Sequence, residues 1–280
     1  MGILVLPKIV LDHIGHFVGE EIMVNIFRIW AIAANGFREV IRDRILYIIG
    51  FFAILMALAL RILPEISVGA DGKIFLDLGL AATSLLGAIV AIFVGTGLIN
   101  KEIEKRTVLV LIPKPLSRSE LIIGKHLGLS GVLAAMLAIM TSIYLAMLAW
   151  AKIPFSPTAI LISQAFLLLE LAVLTAIAIL FGVFTSSILA TLLSFGVYFM
   201  GHISRDLLKL GEITKNANIE TLTKYLYLVL PNLERFNLKN EAVYGILPSS
   251  SELWADLLYG ILYIILMLTL ANLIFARKQF

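Results

Sequence analysis

The chain has 280 residues, 60% of them hydrophobic and 15% charged, with a mean hydropathy of +1.01; a soluble domain carries about a quarter charged residues, so a water-soluble globular protein is excluded. The formal net charge of +3 is too small to point to nucleic acid, and the lack of any cysteine excludes disulfides, thiolate metal sites and cysteine nucleophiles. Apolar residues gather in runs of roughly 20, enough for a helix to cross a hydrocarbon layer about 30 Å thick, without the alternation of a β-barrel; the fold class is all-α, a polytopic helical membrane protein.

Residues 1–22 show no clear periodicity, and Asp12, Glu20 and Glu21 interrupt the apolar residues before a signal-peptide core can form. They read either as a leader or as sequence upstream of a start at Met23. His13, His16 and Glu20 share a spacing that one helical face can offer to a metal, but with no second donor cluster no metal site is expected.

From Met23 to Arg44 the apolar Ile26, Trp30, Ala33, Phe37 and Ile41 recur at spacings of three and four. This predicts an amphipathic helix in the headgroup plane, with Trp30 and Phe37 turned to the acyl region and Arg38, Arg42 and Arg44 to anionic lipid. It is either a membrane-parallel lead-in or a lever that touches a cytoplasmic partner.

Six transmembrane spans are then expected: Ile45–Leu63, Leu78–Ile99, Leu127–Ala151, Thr158–Val183, Ser187–Ile203 and Leu257–Ala276. The fourth and fifth are divided only by Gly182, Thr185, Ser186 and Ser187. Basic residues sort the loops by side. Lys8, Arg28, Arg38, Arg42 and Arg44 precede the first span, Lys101, Lys105, Arg106, Lys114, Arg118 and Lys125 follow the second, and Arg277 and Lys278 follow the last, whereas the opposite short loops hold only Lys73 and Lys152, with Arg61 near the end of the first span. Both termini are therefore expected in the cytoplasm. The segment 204–254 then lies outside; its Tyr225–Leu230 run is too short to cross and suits a helical cap or a partly re-entrant hairpin.

The cytoplasmic loop 100–126 carries the most information. Lys101, Glu102, Glu104, Lys105 and Arg106 form a mixed-charge helical extension of the second span, Thr107–Ile112 is apolar, Pro113 and Pro115 stop the helix, and Ser117 with Glu120 has the capping-box spacing. Gly124 and Gly128 either allow a close helix approach or mark a turn into the third span.

Those residues resemble the permease subunits of type-2 ATP-binding-cassette (ABC) exporters. The likeness is carried by Glu102, Glu104, Lys105, Arg106, Thr107, by Lys114-Pro115-Leu116-Ser117-Arg118 and by Gly124-Lys125, although the Gly often found before the Thr is missing. Arg38-Glu39 through Arg44, and Leu230-Pro231-Asn232-Leu233, look similar to the branch involved in multicopper-enzyme maturation. The resemblance implies a domain over 45–280 with Lys101, Glu102, Glu104, Lys105, Arg106, Thr107, Lys114, Pro115, Ser117 and Arg118 docking on a separate ATP-binding subunit. It further implies a second permease copy as partner, a prokaryotic cell (inner) membrane, and ATP with magnesium on the partner subunit; no cofactor is expected on this chain. The chain has no Gly-x-x-x-x-Gly-Lys-(Ser/Thr) phosphate loop.

Near the middle of the fourth span, Glu170 lies six residues beyond Gln164; a carboxylate at that depth is costly, so it is expected to face the bundle, a partner or water. Glu170 marks either the translocation path or dimer interface, or a structural hydrogen bond to a hydroxyl such as that of Tyr144. An ion-coupled carrier using Glu170 and a non-transporting scaffold for an ATPase are the competing functions; an intramembrane enzyme lacks any converging catalytic set.

Overall fold

The computed structural model describes residues 27–38, 45–67, 69, 71–104, 117–214 and 217–277. The leader, His13, His16, Glu20, Arg42, Arg44 and the 105–116 part of the loop lie outside them. Every regular element among the described residues is helical. In chain order these are α1 (27–38), α2 (Leu46–Ile66), α3 (Asp71–Glu104), α4 (Arg118–Trp150), α5 (Pro157–Phe184), α6 (Ser187–His202), α7 (Ser204–Ile213), α8 (Ala217–Val229), a 3-10 turn (Leu233–Phe236), α9 (Lys239–Tyr244) and α10 (Ser250–Arg277).

Five of these, α2, α3, α4, α5 and α10, are long and apolar enough to cross a membrane. The expected fifth span, α6, has 16 residues, about 24 Å at a helical rise of about 1.5 Å. It stops short of the far end of its neighbours. The expected start of the third span at Leu127 is also displaced: α4 begins at Arg118. Hydropathy reads lipid exposure, and the charged or polar Arg118, Lys125 and His126 hid two turns of regular helix from it.

Helix starts follow local chemistry. The Ser117 side chain accepts from the Glu120 amide while the Glu120 carboxylate accepts from the Ser117 amide, the reciprocal capping box read in the sequence. Ser156 caps α5, with Pro157 in the first turn where its missing N–H costs nothing. Thr185, in extended conformation, ends α5 and separates it from α6.

The bundle is built around α5, whose most apolar stretch is 72% buried, against 22% for α2 and 11% for α10. Small residues let its neighbours close in. A Cβ on Gly87 of α3 meets the Leu171 side chain and one on Gly95 meets Ala178, both on α5; one on Gly260 of α10 meets Leu169. Tyr144 of α4 fills the space left by Gly79 of α3 and donates its hydroxyl proton to the Leu76 carbonyl at 2.8 Å. His126 of α4, buried, hydrogen-bonds the Ala172 carbonyl of α5 at 3.0 Å, so Nε2 carries the proton. Thr96 of α3 and Thr191 of α6 pair through their hydroxyls at 3.0 Å.

Beyond α6 the chain folds back. Helices α7 and α8 pack on each other, and the 3-10 turn then dips beside the middle of α5, where Leu233 and Phe236 are fully buried against Val173 and Ile177. Gly201 at the end of α6 makes room for Leu233. Gly245, in the left-handed region at φ 68°, ends α9 and turns the chain into α10.

Candidate functional site

Two regions hold the residues singled out above. The first is the loop end of the bundle, where α3 finishes and α4 starts. The backbone of α3 stays helical through Lys101, Glu102 and Glu104; the positions of Lys105, Arg106, Thr107, Lys114 and Pro115 lie outside the described residues. Ser117 is occupied by its capping role.

Arg118 is engaged within the chain. Its Nη1 donates to the Phe275 and Ala276 carbonyls at 2.8 and 2.7 Å, and its guanidinium sits 5.7 Å from the Phe275 ring centroid. Carbonyls at a helix C-terminus lack intrahelical donors and bear partial negative charge, so an arginine there supplies both the hydrogen bonds and the matching charge. Arg118 therefore ties the start of α4 to the end of α10.

The same end carries α1. A Cβ on Gly124 meets Ile32 at 2.7 Å, one on Gly128 meets the Ala33 carbonyl oxygen at 2.8 Å, and one on Gly131 meets Phe37 at 3.5 Å. Positions 124, 128 and 131 lie on one helical face, and α1 rests in the shallow track they leave. Of the two readings open for Gly124 and Gly128, the structure selects close helix approach. It also places Phe37 partly buried in the protein core rather than among lipid tails, while Trp30 is 71% exposed and Arg38 is exposed.

The second region is the polar interior. Glu170 lies midway along α5 and is 2% exposed. Tyr144 is not its partner, because the register of α4 carries that hydroxyl to Leu76. Its neighbour is His202, the last residue of α6, with Nε2 and Oε1 3.4 Å apart. His202 Nδ1 lies 3.0 Å from the Tyr198 carbonyl, which can only accept, so Nδ1 carries a proton and Nε2 is the nitrogen that faces Glu170. Gln164 of α5 donates from Nε2 to Thr83 Oγ1 of α3 at 3.1 Å. A crevice of about 10 Å³, room for about one water molecule, lies between these groups and the segment 236–239, with Leu80, Ser84, Gln164, Glu170, Phe236 and Lys239 in its lining.

His202 carried no local sequence signal: it lies 32 positions from Glu170 and becomes its partner only because α6 ends level with the middle of α5. The segment 204–249 is fastened to α10 just as specifically. Arg235 Nη1 donates to Asp256 Oδ1 at 2.8 Å. The Arg235 guanidinium sits 5.0 Å from the Tyr259 ring centroid, and the Asn232 amide donates to the Tyr259 hydroxyl at 2.9 Å. Among the described residues no three His, Asp or Glu side chains gather as a metal site.

No curated protein matches the chain. Residues 30–280 match the model of the ABC-2 family transporter proteins. That match runs from within α1 through the polar interior, residues 204–249 and α10, so the chain belongs to this family, whose members are the membrane permease subunits of ABC transporters and imply a partner ATP-binding subunit.

Proposed function

We propose that the chain is the permease of an ATP-driven exporter, made of six membrane spans and working as a homodimer. ATP and magnesium are handled by two copies of a separate subunit docked on the loop. The observation that carries this reading is the overshoot of α3 and α4. With 34 and 33 residues, they run about 50 Å each, against a hydrocarbon layer of about 30 Å. The excess of α4 lies at the loop end and α3 extends past its expected span there as well, to Glu104, so the two helices bracket the charged and Pro-broken stretch 105–116. A stiff extension of two spans converts movement of a docked subunit into tilting of those spans.

In this reading α2, α3, α4, α5, α6 and α10 are the spans, the turn and helices of 204–249 complete the layer that α6 leaves unfinished, and both termini are cytoplasmic in a prokaryotic cell (inner) membrane. The helix α1 lies at the cytoplasmic interface, with Trp30 and Arg38 towards lipid. Within the family, the likeness of residues 38–44 and 230–233 favours the branch involved in multicopper-enzyme maturation. The Glu170–His202 pair is the one observation that favours an ion-coupled carrier instead.

Co-purification with the ATP-binding subunit tests the docking, using Glu104→Lys and Lys114→Glu, which leave the Arg118 tie intact. Loss of association and of ATP-dependent transport is expected in both. Association and transport at the level of the unmodified chain overturn the docking assignment, and flux driven by an ion gradient with no ATP-binding subunit present favours the carrier.

A further inference from the structure

We infer that α10 is the link that carries movement of the loop to the outer segment, with Arg118 and Arg235 as the positioning residues at its two ends. The inference rests on the ATP-driven reading for its biological meaning, but its structural content is independent of a motor.

Arg118 is the first residue of α4, directly after the capped Ser117 that closes the loop. Displacement of the loop therefore reaches Arg118 before any other residue of α4. The two carbonyls that Arg118 grips belong to Phe275 and Ala276 in the last turn of α10. At the other end, Asp256 holds Arg235, and Tyr259 receives the Asn232 amide one turn further along. From Asp256 to Phe275 is about 28 Å of continuous helix at about 1.5 Å per residue, with no Pro inside it.

The flank of α10 permits such transmission. Its buried residues are Gly260, Ala271 and Phe275, whereas Leu258, Leu262, Ile265, Leu266 and Leu273 are exposed. Alongside them Tyr259, Tyr263, Ile264, Met267 and Leu268 pack half-buried against the core, so the helix is held along its length as one rigid rod and a displacement at one end is carried to the other. The directional polar contacts concentrate at the two ends, and those decide what moves with α10.

The test uses the full chain, whose lack of cysteine lets two introduced ones be labelled without background. Spin labels at Leu222→Cys on α8 and Lys152→Cys in the α4–α5 turn, both exposed positions, report the placement of the outer segment in lipid nanodiscs. For the permease alone, Arg118→Gln is expected to broaden that distance distribution although it lies at the opposite end of the bundle. Asp256→Asn broadens it as well, the double variant no more than the larger single one, and Arg118→Lys, which still donates to carbonyls, keeps it narrow. With the ATP-binding subunit and ATP, the unmodified chain shifts the distance and Arg118→Gln loses the shift while the subunit still co-purifies.

A second variant, Ile265→Gly with Leu266→Gly, softens the exposed middle of α10 with both ties in place and is expected to lose the shift too. The inference is overturned if the Arg118→Gln distribution equals that of the unmodified chain, or if the broadenings from the two ends add. Failure of the subunit to associate at all overturns the ATP-driven reading and leaves the permease-alone arm to decide the role of α10.

Discussion

A Cβ on Gly79 runs into the Tyr144 ring, which is fully buried and held by its own hydrogen bond to Leu76. Neither partner has room to give. Gly79→Ala is expected to cost about 1–3 kcal/mol of stability through overpacking. Tyr144→Phe should cost about 1 kcal/mol, since the Leu76 carbonyl keeps its helical partner and loses only the extra donor. Gly50→Ala in α2, where nothing lies within 4 Å, is expected to be neutral or to gain about 0.4–1 kcal/mol by restricting the unfolded chain. Thermal unfolding of the three variants in detergent gives the order, and a Gly79→Ala protein as stable as Gly50→Ala refutes the packing. A comparable limit exists at Gly128, where the opposing atoms are Ala33 backbone rather than a movable side chain, so Gly128→Ala must displace α1 as a whole.

Capping, hydrophobic run and break residues are local signals, and elements that depend on them were legible in the sequence. Ser117 and Glu120 marked the start of α4 because both halves of the capping box are side chains, and Thr185 with Ser186 marked the α5–α6 division. Contacts made to backbone were not legible. The carbonyls of Phe275 and Ala276 that hold Arg118 have no residue-specific signature, so Arg118 read as a surface group for a partner. The Glu170–His202 pairing was hidden for a different reason: it depends on α6 stopping at 16 residues, and apolar composition does not reveal where a helix yields to a turn. Ser117→Ala is expected to lose about 0.5–2 kcal/mol of stability, whereas Glu120→Gln, which keeps an acceptor at the third position, should change little. Tyr259→Phe removes the acceptor of the backbone amide of Asn232, a residue only 4% exposed. Faster hydrogen exchange confined to 217–244 is expected, and exchange equal to the unmodified chain argues that the outer segment is held by burial of Leu233 and Phe236 alone.

At the scale of the whole molecule, the proposed sides of the membrane rest on the distribution of basic residues, and single introduced cysteines test them. Lys152→Cys should react with an impermeant maleimide added to intact cells, and Lys101→Cys only after the membrane is opened; the reverse pattern inverts the proposed topology and removes the loop from any cytoplasmic subunit. The short α6 has its own consequence for the surroundings of the protein. Ile188, Leu192 and Phe199 are exposed along it, over a height of about 24 Å where other helices offer a full crossing. In the proposed six-span arrangement, acyl chains against the part of that flank that 204–249 does not cover must shorten or tilt to meet it, at a cost of fractions of a kcal/mol per Å of mismatch. That arrangement predicts a locally thinned bilayer on one side of the perimeter, where annular lipids with shorter tails should collect and stabilise the protein better than long-tailed ones.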